Sequence, residues 1–239
     1  GAWKEAPYVD LPAGLDAIRA HRVTVNTSLG RPLQIVGGLR TGEPDVLRGE
    51  ETQALGAGIE DGLLCMPGTH SKWLRIRGGT IDAFATWFTG ELYDLLGSHG
   101  SLGKAFGPCG RLDPGAFDDG VARALTEPGR TAWLHALFGF RARVVGQGVD
   151  GALERARLSG WLIGTELLQA LSGLGGHDPL PPALVLVAAP QLGALYDRAL
   201  GIVRPKLAPD DRARGLPERF LHADAQCAAK GLYRIATGS

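Results

Sequence analysis

Cysteine is scarce in this chain of 239 residues. Cys65, Cys109 and Cys227 stand far apart with no C-x-x-C pair, which excludes a disulfide framework and a structural zinc site and suits a reducing, cytoplasmic setting. Charge of one sign is lacking as well. The 25 basic side chains equal the 25 acidic ones, so nothing draws the chain to nucleic acid or another polyanion. Long apolar runs are also missing: the longest, residues 179–195, is interrupted by Pro181, Pro182 and Pro190. With no basic-then-apolar leader, neither a membrane span nor an anchor is expected. No segment repeats at a fixed spacing, which argues against solenoids and propellers.

What remains is an ordinary globular composition, 44% hydrophobic and 21% charged. The chain is long enough to bury a core as one large domain or two modest ones. Its 36 glycines and 15 prolines follow no low-complexity period and read as turn chemistry between short elements. The first twelve residues, with Trp3, Pro7, Tyr8 and Pro12 at no regular spacing, read as a loop. Leu15 and Ile18 suggest a short helix, and residues 31–36 a short strand ending at Gly37 and Gly38. Val46, Ala54, Leu55 and Ile59 predict a helix over residues 45–59 with an acidic first turn.

Residues 63–66, 72–77 and 80–87 are apolar or alternating, with Pro67-Gly68 and Gly78-Gly79 as breaks, and predict a small antiparallel meander. Thr89 is the expected N-cap of a helix through Leu96, and further helices are expected at 117–125, 131–138 and 153–171. A buried strand at 183–187, a helix at 191–200 and an alanine-rich helix at 223–235 complete a mixed α/β pattern. Trp133 and Trp161 fall on helical apolar faces and are expected in the core. His99 and His135 read as ordinary polar residues.

Three motif matches fail on context. Residues 146–151 fit G-x-G-x-x-G after a strand-like Arg143 to Val145, but no second strand ending in an acid follows, and a glycine-rich connection between helices is the better reading. Gly103-Lys104 resembles a P-loop, but Ser98 stands where that motif needs glycine and Ala105 replaces the metal-binding hydroxyl. His99-Gly100-Ser101-Leu102-Gly103 misses the nucleophile elbow at its first residue.

Residues 48–91 are the informative window. Pro67-Gly68-Thr69-His70-Ser71-Lys72-Trp73 falls at the turn between two strands, where backbone N–H groups and hydroxyls can converge on an anion. The plainer reading is a polar turn. About twenty residues upstream, Glu50 and Glu51 open a helix; the plainer reading for them is a solvated first turn favoured by the helix dipole. Phosphoryl transfer to an alcohol needs a carboxylate to accept the hydroxyl proton and donors to spread phosphate charge. Both parts occur in this window.

Four segments resemble the 2-dehydro-3-deoxygalactonokinases: residues 45–53 (DVLRGEETQ), 64–73 (LCMPGTHSKW), 89–92 (TGEL) and 158–167 (LSGWLIGTEL). The opening Trp3-Lys4-Glu5-Ala6-Pro7-Tyr8 is similar to the same family's W-x-E-A-P-Y segment. The resemblance implies transfer of the ATP γ-phosphate, with Mg2+, to the 6-hydroxyl of 2-dehydro-3-deoxy-D-galactonate in galactonate catabolism. It also implies the actin-like ATPase fold, two ribonuclease-H-like domains closing over a cleft. Residues 1–62 would then be the remainder of an N-terminal, substrate-side domain and 63–239 the nucleotide-binding domain.

By the same resemblance Gly68, Thr69, His70, Ser71 and Lys72 bind phosphate, and Ala188, Ala189 and Pro190 form the adenosine-binding turn. Glu50 or Glu51 supplies the base, which the sequence does not separate, and Arg48 meets the substrate carboxylate or a phosphate, or pairs with Glu51 or Glu43. No metal ligand is assigned to the protein itself. The expected partners are ATP and a small sugar acid, and a homodimer is allowed.

The family also opens with a strand and an Asp-x-Gly-Thr-Thr hairpin that these residues do not contain. The chain is therefore expected to be the C-terminal part of a longer protein, its first domain lacking the N-terminal strands, and to show little turnover alone. The alternative is a non-catalytic sugar-acid or nucleotide-binding member of the same fold.

Overall fold

The computed structural model describes residues 6–27, 30–126, 132–174, 183–206, 219–222 and 226–238. Trp3, Lys4 and Glu5 of the opening motif lie outside the described residues, as do Pro181 and Pro182. The elements in order are β1 (Val9–Asp10), α1 (Leu15–Ala20), β2 (Val23–Asn26), β3 (Pro32–Ile35), β4 (Leu39–Arg40), β5 (Val46–Leu47) and α2 (Glu50–Ala57). The meander follows as β6 (Gly62–Met66), β7 (Ser71–Arg77) and β8 (Thr80–Trp87), then α3 (Thr89–Ser98), α4 (Gly100–Phe106) and α5 (Pro114–Ala124). After them come α6 (Trp133–Gln147), α7 (Gly151–Gly173), β9 (Ala183–Leu186), α8 (Pro190–Val203), β10 (Arg219–His222) and α9 (Cys227–Thr237).

Five strands form the central sheet in the order β10-β9-β6-β7-β8. Strands β6, β9 and β10 run parallel, and β7 pairs antiparallel with both β6 and β8. All five positions of β6 are buried, as expected of a strand covered on both faces. Alternation along the strands divides the core in two. Leu63, Cys65, Trp73, Leu184 and Leu186 face Phe117, Val121, Phe140, Leu158, Trp161 and Leu167. On the other face Leu64, Met66, Leu74, Ile76 and Val185 meet Val9, Ile18, Leu39, Leu47, Leu55 and Ile235. The early segment and α9 thus cover one face of the sheet while α5, α7 and α8 cover the other.

Glycines set the closest helix contacts. A Cβ at Gly56 would lie 1.7 Å from the Cys227 carbonyl oxygen, and one at Gly231 would lie 1.8 Å from that of Thr52. Helices α2 and α9 therefore cross backbone to backbone. Gly120 and Gly160 do the same where α5 crosses α7, each excluding a Cβ that would lie 2.1 and 2.0 Å from a facing carbonyl oxygen.

The helix expected over residues 45–59 begins only at Glu50. Asp45 accepts from the N–H and hydroxyl of Thr86 at 2.8 and 2.7 Å, Val46 and Leu47 pair with β4, and Gly49 at φ +105° turns the chain into the helix. That backbone conformation is open to glycine and costly for other residues. Thr89 is the first residue of α3 rather than its cap. Its hydroxyl reaches Glu166 instead.

The helix expected at 131–138 continues to Gln147, so Arg143 to Val145 are helical. Gly148 closes α6 in the left-handed region and Asp150 caps α7, which makes the glycine-rich match at 146–151 a turn between helices. Trp161 is buried as expected, but Trp133 is 46% exposed. Val9 and Asp10 form a strand inside the expected opening loop, and β2, β4, β5 and β10 were not foreseen. Strands of two to four residues carry too little periodicity to be read without their partners.

We expect Gly231→Ala to lower stability by about 1–3 kcal/mol, because the added methyl must push α2 off α9. Gly201→Ala, in α8 with open space around it, should be neutral or stabilising by up to about 1 kcal/mol. Urea unfolding of both variants checks the pair.

Candidate active site

The carboxyl ends of the parallel strands β6 and β9 lie side by side, fixed by the Val187 N–H donating to the Cys65 carbonyl at 2.9 Å. Ligand sites in open α/β sheets form in such places, because loops leave neighbouring strands there. The loop after β6 is the Gly68-Thr69 hairpin, and the loop after β9 is Ala188-Ala189 leading into α8. Between them opens a cleft of about 590 Å³ lined by Glu50, Gln53, Gly68, Thr69, His70, Lys72, Val187, Ala188, Ala189, Pro190, Cys227 and Ala228, with Met66 and Pro67 at its floor.

The hairpin rests on the start of α3. Thr69 O accepts the Glu91 N–H at 2.9 Å, and a Cβ at Gly90 would lie 2.2 Å from Gly68 O. Glycine at 90 is what lets the hairpin touch the helix. His70 is held from two sides, its Nε2 2.5 Å from Glu91 Oε2 and its ring stacked 4.8 Å from that of Phe88. Lys72 is buried to 7% exposure and its side chain lines the cleft with no hydrogen bond or ion pair among the described residues. A buried ammonium without a carboxylate beside it is an anion site in waiting.

Two helix starts add to the positive character. Helix α8 opens at the cleft with Pro190 in its first turn and no side-chain cap from Ala189. Helix α9 opens there too, with Cys227 and no side-chain cap from Gln226. Uncapped N-terminal N–H groups favour an anion. The arrangement can therefore take a polyphosphate beside one carboxylate.

That carboxylate is Glu50. The two glutamates part company in the structure: Glu50 lines the cleft, with Oε2 accepting the Arg48 N–H at 2.9 Å. Glu51 is buried to 1% exposure, accepting from the Gly49 N–H at 2.6 Å and the Thr52 hydroxyl at 3.0 Å. Burial pushes the Glu51 carboxyl above the ordinary carboxylate range. Arg48 lies outside the lining; its guanidinium sits 4.6 Å over the Tyr8 ring and donates to Ala6 O at 3.0 Å. Ser71 also turns away from the cleft. Its hydroxyl lies 3.1 Å from that of Tyr196, fully buried.

Tyr196 belongs to a buried network on the far side of the hairpin. Its hydroxyl donates to Glu166 Oε2 at 2.8 Å, and Trp73 Nε1 donates to Glu166 Oε1 at 2.8 Å. Thr89 and Ser71 lie beside this carboxyl, whose pKa burial raises in spite of them. The network joins β7, α3, α7 and α8 directly behind the Gly68-Thr69 hairpin.

Of the residues singled out from sequence, the structure brings together Glu50, Gly68, Thr69, His70, Lys72, Ala188, Ala189 and Pro190. Gln53, Val187, Cys227 and Ala228 join them unforeseen. Gln53 stood in a quoted motif, one helical turn beyond Glu50. Cys227 and Ala228 carried no local signal, since only the α2–α9 crossing brings them there.

These features define a mixed α/β protein with a cleft that brings a buried lysine and two helix starts beside a carboxylate. The chain belongs to the 2-keto-3-deoxy-galactonokinase family, whose profile matches residues 1–232. It is 42% identical over 207 residues to the probable 2-dehydro-3-deoxygalactonokinase DgoK1 of Rhizobium meliloti, covering 83% of this chain. It is 35% identical over 202 residues to the 2-dehydro-3-deoxygalactonokinase of Escherichia coli K12, covering 82% of this chain. The chain spans 65% of the length of each of these curated relatives. A crystal structure described as a "putative 2-dehydro-3-deoxygalactonokinase protein" of Sinorhizobium meliloti superposes with a TM-score of 0.79 at 36% identity, over 99% of this chain and 75% of that one.

The two glutamates should separate in solution. A carboxyl whose folded-state pKa is raised stabilises the fold below its unfolded value, 4.5 for Glu51, and that contribution is lost as pH rises through the folded value. From pH 4.5 upward, wild type should therefore lose stability relative to Glu51→Gln. Thermal melting of both proteins across that range checks it.

Proposed function

We propose that the cleft transfers the γ-phosphate of ATP to the 6-hydroxyl of 2-dehydro-3-deoxy-D-galactonate. The observation that carries this reading is the meeting of Glu50, the Gly68-Thr69 hairpin with Lys72, and the Ala188-Pro190 turn in one cleft. The family and the names of the relatives supply the substrate class.

In this reading the backbone of Gly68 and Thr69, with Lys72 and the start of α8, holds the triphosphate, and the small Ala188 and Ala189 let the backbone approach the adenosine. Glu50 accepts the proton of the sugar-acid hydroxyl as its oxygen bonds to the γ-phosphorus and the bond to the β-phosphate oxygen breaks, releasing ADP. Arg48, whose N–H holds Glu50, acts as a positioning residue. Among the described residues no three His, Cys, Asp or Glu side chains gather to hold a metal, so Mg2+ would arrive on the nucleotide. There it would spread the charge of the phosphates.

The sheet order, with β7 reversed beside parallel β6, β9 and β10, supports a ribonuclease-H-like nucleotide domain over 63–239. Residues 1–62 then form the remainder of a first, substrate-side domain. No helix among the described residues is long and apolar enough to cross a membrane, and the three cysteines are free. Both facts suit a cytoplasmic enzyme.

An ATP-dependent phosphorylation assay with 2-dehydro-3-deoxygalactonate, on the full-length protein, tests the reading. Glu50→Gln should cut kcat by about 10²–10⁴-fold, while Lys72→Met should raise the KM for ATP and Glu51→Gln should leave turnover nearer to wild type. Full activity in Glu50→Gln would remove the carboxylate from the chemistry. No turnover by wild-type protein would leave a binding function for the cleft.

A further inference from the structure

A second basic site lies on the helical face of the molecule, sharing no lining residue with the cleft. Arg123 of α5, Arg143 of α6, Arg157 of α7 and Lys206, at the end of the 3-10 turn after α8, border an open groove of about 600 Å³. The acids near it are few. Glu154, fully buried, meets Arg143 Nη2 at 2.7 Å and Arg157 Nη1 at 2.5 Å. Asp119 lies 3.4 Å from Arg157. Four cations thus face two carboxylates, both already engaged. The side chains of Arg123 and Lys206, which line the groove, make no hydrogen bond or ion pair among the described residues; the Arg123 carbonyl alone accepts from the Thr126 hydroxyl at 2.8 Å.

Arg123 and Arg143 also gather at one aromatic ring. Their guanidinium carbons lie 5.6 and 5.0 Å from the centroid of the Phe140 ring. Arg123 Nη2 and Arg143 Nη1 both come within 4 Å of the point where Gly139 would carry a Cβ, so side-chain donors converge where the chain has no side chain. Burial and the charge of Arg143 lower the pKa of Arg123, against the pull of Glu154, while its guanidinium stays charged. Glu154, shared with Arg157, offsets only part of this repulsion, and like charges this near cost free energy that a further anion would relieve.

We propose that this groove binds a small dianionic oxyanion, the phosphate group of a phosphorylated metabolite, between Arg123, Arg143 and Lys206. Guanidinium forks match tetrahedral and carboxylate oxyanions in pairs of hydrogen bonds, and Lys206 adds a mobile point charge. The site stands apart from the proposed kinase chemistry and is tested without it.

Inorganic pyrophosphate is the probe, titrated calorimetrically at low salt into Lys72→Met, in which the cleft is weakened, and into Lys72→Met carrying Arg123→Gln and Lys206→Gln. Wild type and the Arg123→Gln/Lys206→Gln pair run beside them, so that a misfolded Lys72→Met is recognised and the loss of one of two sites is still read. Removing the two cations should weaken this binding at least about tenfold. In anion-free buffer the same variants should melt no lower than their parents, because they relieve repulsion. Equal affinity with and without Arg123 and Lys206, or no binding up to about 10 mM, overturns the proposal. So does a lower melting temperature without ligand, which would assign the two cations a structural role.

Discussion

Helices α2 and α9 approach so closely at Gly56 and Gly231 that no side chain separates their backbones. The arrangement of the cleft follows from that approach. It brings the first turn of α2, with Glu50 and Gln53, to the same opening as the first turn of α9, with Cys227 and Ala228. It also presses the early segment against one face of the sheet, where Val9, Ile18, Leu47 and Ile235 share a core with Leu64 and Leu74. A glycine pair suits the purpose because the distance is set by hard contact rather than by adaptable side chains.

The hairpin on the other side is fixed differently. Gly90 lets α3 lie against Gly68, and behind the strand a single carboxyl, Glu166, accepts from Trp73 and Tyr196, with Thr89 and Ser71 beside them. Burying that carboxyl is unfavourable, and its polar neighbours offset part of the cost only while four elements keep their places. The polar network consequently acts as a register between β7, α3, α7 and α8. It explains why Ser71, next to the Gly68-Thr69 hairpin, serves the interior instead of the cleft.

Electrostatics divide the two basic regions. In the cleft the positive character comes from Lys72 and two uncapped helix starts, facing one carboxylate. In the groove it comes from guanidinium groups stacked on Phe140. The net charge of the chain is zero, so both are local concentrations that overall composition conceals.

Much of the site was legible in the sequence. The hairpin between β6 and β7 could be read from strand alternation interrupted by Pro67-Gly68, and the acidic helix start and the β9–α8 turn from short patterns of their own, because each is a local structure with local rules. Other features depended on distant partners. Asp45 reads as a helix start until Thr86, forty-one residues on, takes its carboxylate. Trp133 lies on an apolar helical stripe, yet no neighbour among the described residues covers it fully. Glu50 and Glu51 are adjacent and chemically alike, and only the orientation of α2 sends one into the cleft and the other into the interior. The sequence by itself determined the meander, the long helices and the chemical character of the loops, since these rest on periodicity and turn residues. Tertiary structure alone decided which carboxylate meets the cleft, which hydroxyl is buried and where the lone cations gather, because packing between remote segments fixes what each side chain faces.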